Sequence, residues 1–160
     1  MILLIAYGNS FRRDDGAGLV LAERLEQAWL ALGVAVERLA VHQLTPELAL
    51  KIAAERVTTV VFVDSRAVDA YEPKPPLHFG PVKVNSLSAS LGHYLEPATL
   101  LTYAHILFGK QPPAWIVTAP GVDFAHGEGL SDLAQQALPH ASSIATELLN
   151  SIRSKAKELA

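Results

Sequence analysis

The run Val57-Thr58-Thr59-Val60-Val61-Phe62-Val63 restricts the fold more than any other stretch of the chain. All but Phe62 are β-branched, and a nearly unbroken run of this kind marks a strand covered on both faces. The run terminates in Asp64, which places an acid at the carboxyl edge of the sheet. A strand covered twice needs helices above and below it, and the rest of the sequence supplies them in alternation.

Residues 2–6 form a second apolar run, bounded by Gly8, and are expected to be the first strand. Residues 15–32 carry Leu21, Leu25, Ala28, Trp29 and Leu32 on one side and Glu23, Arg24, Glu26 and Gln27 on the other, an amphipathic helix. Asp14 or Asp15 is placed to cap it and Gly33 to end it. Residues 34–41 give a second strand. Thr45 and Pro46 then open a short helix that Leu48, Leu50, Ile52 and Ala53 carry to about Arg56.

Residues 71–76 hold Pro73, Pro75 and Pro76 and make a loop. Residues 77–84 alternate loosely and suit an edge strand, where Pro81 is tolerable. Residues 86–92 are a polar connection. A helix over 95–107 buries Leu100, Leu101, Ala104 and Leu107; Pro97 in its first turn leaves His93 at the helix mouth, and a start nearer Ser90 is the alternative. After a break at 109–113, residues 114–119 are the last strand and 120–129 an irregular loop. Ser131 caps a closing helix with a stripe of Leu133, Ala137, Ile144, Leu148, Leu149 and Ile152, bent at Pro139 and frayed from Ser154. The alternation implies one domain over 1–160, a three-layer α/β/α sandwich of about five strands.

Composition removes several function classes. Half the residues are hydrophobic and the net charge is −3, with thirteen Lys and Arg scattered along the chain. Neither disorder nor a nucleic-acid surface fits that balance. The absence of cysteine excludes disulfides, thiolate metal sites and a cysteine nucleophile. Residues 1–7 are too short for a signal peptide, and no apolar run approaches the ~20 residues that span a membrane. A soluble, cytoplasmic protein is the expectation.

The chemistry centres on Asp14 and Asp15, in the turn from the first strand to the first helix, together with Asp64 and His93. Strand-end acids in open α/β sheets lie where ligands bind. Two carboxylates and an imidazole meeting at one point would suit Ni²⁺, Zn²⁺ or Fe²⁺ better than Ca²⁺, in an exchangeable rather than a closed site. Singly, each residue has a plainer role: Asp14 as a helix cap, Asp64 as a turn acceptor, His93 as a surface histidine. His42, His78, His105, His126 and His140 are all read as surface residues.

Gly8-Asn9 followed by Asp14-Asp15-Gly16 and Gly18 resembles the signature of the hydrogenase maturation proteases. The similarity extends to the strand from Val60 into Asp64, to His93 with Leu100-Leu101, and to Gly129-Leu130-Ser131 with Leu133, Ala137 and Pro139. The resemblance implies a mostly parallel sheet with one antiparallel strand, for which 77–84 is the candidate. It implies an endopeptidase that removes the C-terminal extension of a nickel-iron hydrogenase large-subunit precursor, acting as a monomer. Asp15, Asp64 and His93 are the implied metal ligands; Asp14, Asp15 and Asp64 are the candidate catalytic acids, with Asp14 or Asp64 as a general base. The metal is the nickel that the precursor carries, with zinc or cadmium expected to substitute.

One segment departs from the family pattern. Where that family has Asp-Gly-Gly-Thr after the second strand, near its substrate, this chain has His42-Gln43-Leu44-Thr45. A family member that binds a protein partner without cleaving it is therefore an alternative. A phospho-acceptor receiver domain is a second, but the lysine such domains need after strand five is replaced by Thr118-Ala119-Pro120-Gly121.

Overall fold

The computed structural model describes residues 1–71, 76–84 and 95–160. Five strands form one sheet in the order β2-β1-β3-β5-β4. β1 (Ile2–Tyr7), β2 (Val36–Val41), β3 (Thr59–Ala67) and β5 (Ala114–Gly121) run parallel, and β4 (His78–Pro81) pairs antiparallel with β5 at the edge. The expected three-layer sandwich with one antiparallel strand is present, and Pro81 sits on the edge strand that tolerates it.

Alternate side chains of the sheet feed two cores. Leu4, Ala6, Val61 and Val63 pack against α1 (Ala17–Ala31), α4 (Asp132–Ala137) and α5 (Ala141–Glu158). Leu3, Ile5, Val60 and Phe62 pack against α2 (Leu48–Ile52) and α3 (Pro97–Phe108). In α1, Leu21, Leu25 and Trp29 are fully buried, each contributing about 1.5–3 kcal/mol. Together they outweigh the roughly 0.5–2 kcal/mol that a missing side-chain cap costs. That matters because α1 has none: its N-cap is Gly16, and Asp14 and Asp15 lie in a 3₁₀ turn, Arg13–Gly16, before it. The capping role expected of either acid is not the one they take.

Other boundaries also move. β3 does not stop at Asp64 but continues to Ala67, because β5 runs on beside it to Gly121 and takes up its hydrogen bonds. β1, on its other side, ends its pairing with β3 at Ala6–Val63. Asp64 is therefore the first residue of β3 beyond that register, on a lip formed by β3 and β5. Helix α2 ends at Ile52, short of Arg56.

Helix α3 starts at Pro97 itself, with Glu96 as an extended N-cap and Gly109 in the left-handed conformation at its end. That settles the start in favour of proline in the first turn. Leu107, expected inside, is 63% exposed, and Leu32, the residue after α1, is 56% exposed. Ser131 caps α4 through its hydroxyl, and Leu138–His140 is a 3₁₀ break around Pro139. Helix α5 runs to Glu158 rather than fraying from Ser154. The polar connection 86–92, His93 and most of the proline loop lie outside the described residues. No helix among the described residues is long and apolar enough to cross a membrane.

Candidate active site

In the order 2-1-3, α1 leaves β1 on one face while α2 covers the other, so a crevice opens beyond the carboxyl ends of β1 and β3. A cleft of about 640 Å³ occupies that place, lined by residues that include Tyr7, Asn9, Arg12, Asp15, His42 and Asp64.

Two glycines make the meeting of Asp15 and Asp64 possible. A Cβ on Gly8 would lie 2.1 Å from the carbonyl oxygen of Asp15, so only glycine lets the end of β1 fold beneath the acid turn. A Cβ on Gly18 would lie 2.9–3.2 Å from the backbone of Asp64. Glycine there lets the first turn of α1 rest directly on β3. Both glycines thus serve close packing between two stretches of backbone.

The adjacent acids diverge. Asp14 is completely buried. Its Oδ2 accepts from the amides of Val122 (2.8 Å) and Asp123 (3.1 Å) and from the Ser131 hydroxyl (2.6 Å), and its Oδ1 accepts from the Ser131 amide (2.8 Å). Burial pushes its pKa up, but the Ser131 hydroxyl and the three amides together hold it below the ordinary carboxylate value. Its neighbours extend the same clasp. Arg13, at φ +44°, pairs with Asp123 at 2.6 Å and donates to the Gly129 carbonyl, while Arg12 donates through Nε to the Phe124 carbonyl. The acid turn and the loop after β5 are one unit.

Asp15 and Asp64 face the cleft. Asp15 accepts from the Asn9 amide at 2.7 Å. Asp64 accepts from the Ser65 amide at 2.7 Å and from the Tyr7 phenol. Burial raises the Asp64 pKa to about 6; the Ser65 amide opposes this, the charge of Asp15 adds to it, and the Tyr7 hydrogen bond opposes it. Burial and the charge of Asp64 in turn push the Tyr7 phenol well above its usual value, so it stays a donor. Among the described residues no three His, Asp or Glu side chains are grouped to hold a cation; His93, the expected third ligand, lies outside them. Two carboxylates of this kind nonetheless offer oxygen donors to a divalent ion.

Tyr7, Arg12 and His42 were not singled out by the sequence as site residues. His42 follows the end of β2 and Tyr7 ends β1; the carboxyl-edge rule that selected Asp64 applies equally to both. Leu44 is 5% exposed and packs in the second core, so the His42-Gln43-Leu44 segment is anchored from beneath while His42 and Gln43 project outward.

Fold and cleft together define a three-layer α/β protein with an acid pair at the strand-end crevice. This is the fold of the hydrogenase maturation proteases. The chain is similar to the NiFe hydrogenase maturation protease HycI of Thermococcus kodakarensis KOD1, at 23% identity over 94% of this chain and 90% of that one, with a TM-score of 0.60. It is also similar to the hydrogenase maturating endopeptidase HybD of E. coli, at 18% identity over 96% and 93% of the two chains, with a TM-score of 0.66. A hydrogenase 2 maturation peptidase from a Thaumarchaeota archaeon gives 19% identity, 92% and 97% coverage and a TM-score of 0.60. At these identities the likeness is one of fold. No family model matches the chain, and no curated protein matches it by sequence.

Proposed function

We propose that this chain is an endopeptidase that removes the C-terminal extension of a nickel-iron hydrogenase large-subunit precursor. The observation that carries the reading is the convergence of Asp15 and Asp64 on one cleft, brought about by Gly8 and Gly18. In this reading Asp15, Asp64 and His93 grip the nickel of the precursor, so that cleavage follows metal insertion. Both carboxylates must be ionised to do so, and an imidazole must be neutral.

Of the three acids, Asp64 is the one that holds a proton most readily while no cation is bound, at a pKa of about 6; a cation would lower that value and keep it ionised as a ligand. Asp14 has its oxygens committed to four donors and acts as a brace for the turn that carries Asp15. A cation held by Asp15 would polarise the scissile carbonyl. The core-anchored His42-Gln43-Leu44 wall supports a second reading, in which the chain binds a precursor without cutting it.

Calorimetric titration with Ni²⁺ should show one site in the wild type that is lost in Asp64→Asn and in His93→Ala; unchanged binding in both sinks the metal assignment. Incubation with nickel-loaded and nickel-free precursor, read by mass spectrometry, should show cleavage of the loaded form alone. Binding of loaded precursor without cleavage would select the second reading.

A further inference from the structure

We infer that Arg12 and His42 form a donor rim to the cleft that recognises a carboxylate of the bound peptide, and so set which precursor this chain accepts. The inference rests on the reading of the cleft as a peptide site. Arg12 and His42 line the same cleft as Asp15 and Asp64, and both are exposed. Among the described residues that line it, Asp15 and Asp64 are the acidic ones. The described wall therefore carries two acids suited to a cation together with four residues that bear side-chain donors, Asn9, Arg12, His42 and Gln43.

Arg12 is oriented for this task. Its Nε donates to the Phe124 carbonyl at 3.2 Å, which tethers the guanidinium at one edge. Among the described residues no protein acceptor engages its two terminal nitrogens, which form the fork that pairs with a carboxylate in two parallel hydrogen bonds. His42 is held in place from below: Leu44, two residues on, is buried in the second core, and the Val41 carbonyl accepts from the Gly8 amide at 3.2 Å. A side chain on an anchored wall loses little freedom on binding, which favours discrimination. A cation bound by the acid pair would remove the repulsion that Asp15 and Asp64 otherwise exert on an incoming anion.

The carboxylate can belong to an acidic side chain or to the chain terminus of the peptide. Three tetrapeptides separate these sources: acetyl-Ala-Ala-Glu-Ala-amide, its glutamine counterpart, and acetyl-tetra-alanine with a free carboxyl terminus. Each is titrated into ¹⁵N-labelled protein with Zn²⁺ present as a diamagnetic cation. At least one carboxylate peptide should shift the Arg12, His42 and Gln43 amides and bind five-fold or more tightly than the glutamine peptide. Which of the two does so identifies the source. The preference should fall at least three-fold in Arg12→Gln and vanish in the Arg12→Gln, His42→Gln double variant, with spectral dispersion showing that both remain folded. The inference is overturned if no peptide shifts these resonances, if the glutamine peptide binds equally well, or if the preference survives in the double variant. No step depends on cleavage, so selective peptide binding without precursor cleavage would count against the peptidase reading alone.

Discussion

Asp14 and Asp15 are neighbours in the chain and opposites in chemistry: one has no contact with water and four donors around it, the other faces a cleft. Replacing Asp14 by Ala leaves the amides of Val122, Asp123 and Ser131 without their acceptor. The expected loss is about 2–4 kcal/mol, read as a lower urea midpoint at neutral pH. Because its folded pKa lies below the ordinary value, this stabilisation is complete above about pH 4 and disappears as pH falls through the lower folded value. Asp64 has the opposite sign. Its folded pKa of about 6 exceeds the unfolded one, so ionising it costs stability, with the cost growing between about pH 4 and 6 and full above that. Asp64→Asn should therefore be more stable than wild type at pH 7, by about 1–2 kcal/mol after allowance for partial exposure, and equal to it at pH 4. A variant that gains stability while losing Ni²⁺ binding would identify a group kept for function at the expense of the fold.

At the scale of elements, the decisive contact is that of α1 on β3. In Gly18→Ala the added methyl meets main-chain atoms of Asp64, which cannot rotate away as a side chain could. The helix must lift, costing about 1–3 kcal/mol, and Asp15 lifts with it. Weaker Ni²⁺ binding should accompany the lower melting temperature, whereas Gly33→Ala, in open space at φ +75°, should affect stability alone. Much at this scale was legible from sequence. The β-branched run marked a central strand, and Ser131 and Pro139 marked the cap and the break. Pro97 left two starts for α3 open, of which the structure has the one with proline in the first turn. What was not legible depended on partners. Nothing local says that β3 outlasts Asp64, since β5 decides it; nothing local says that Asp14 serves Ser131 rather than α1, since the two are 117 residues apart. The acid pair could be read from strand ends, and the same rule reaches Tyr7 and His42 at the ends of the parallel strands β1 and β2.

At the scale of the whole molecule, two cores lie on either side of one sheet, and every strand but β4 ends at the same edge of that sheet. The last turns of α5 stand outside both cores: residues 153–160 are all exposed although the helix reaches Glu158. Regular geometry there comes from the helix itself, with no tertiary anchor. Deleting residues 154–160 should therefore leave the melting temperature within about 2 °C of the full chain and Ni²⁺ affinity unchanged. The clasp of Arg13 and Asp14 on residues 123–131 has a consequence for engineering. These two surface segments cannot be exchanged separately. A chimera that grafts the loop after β5 from a related scaffold would take away the floor beneath the acid turn, and only a paired transplant of both pieces would keep the crevice in shape.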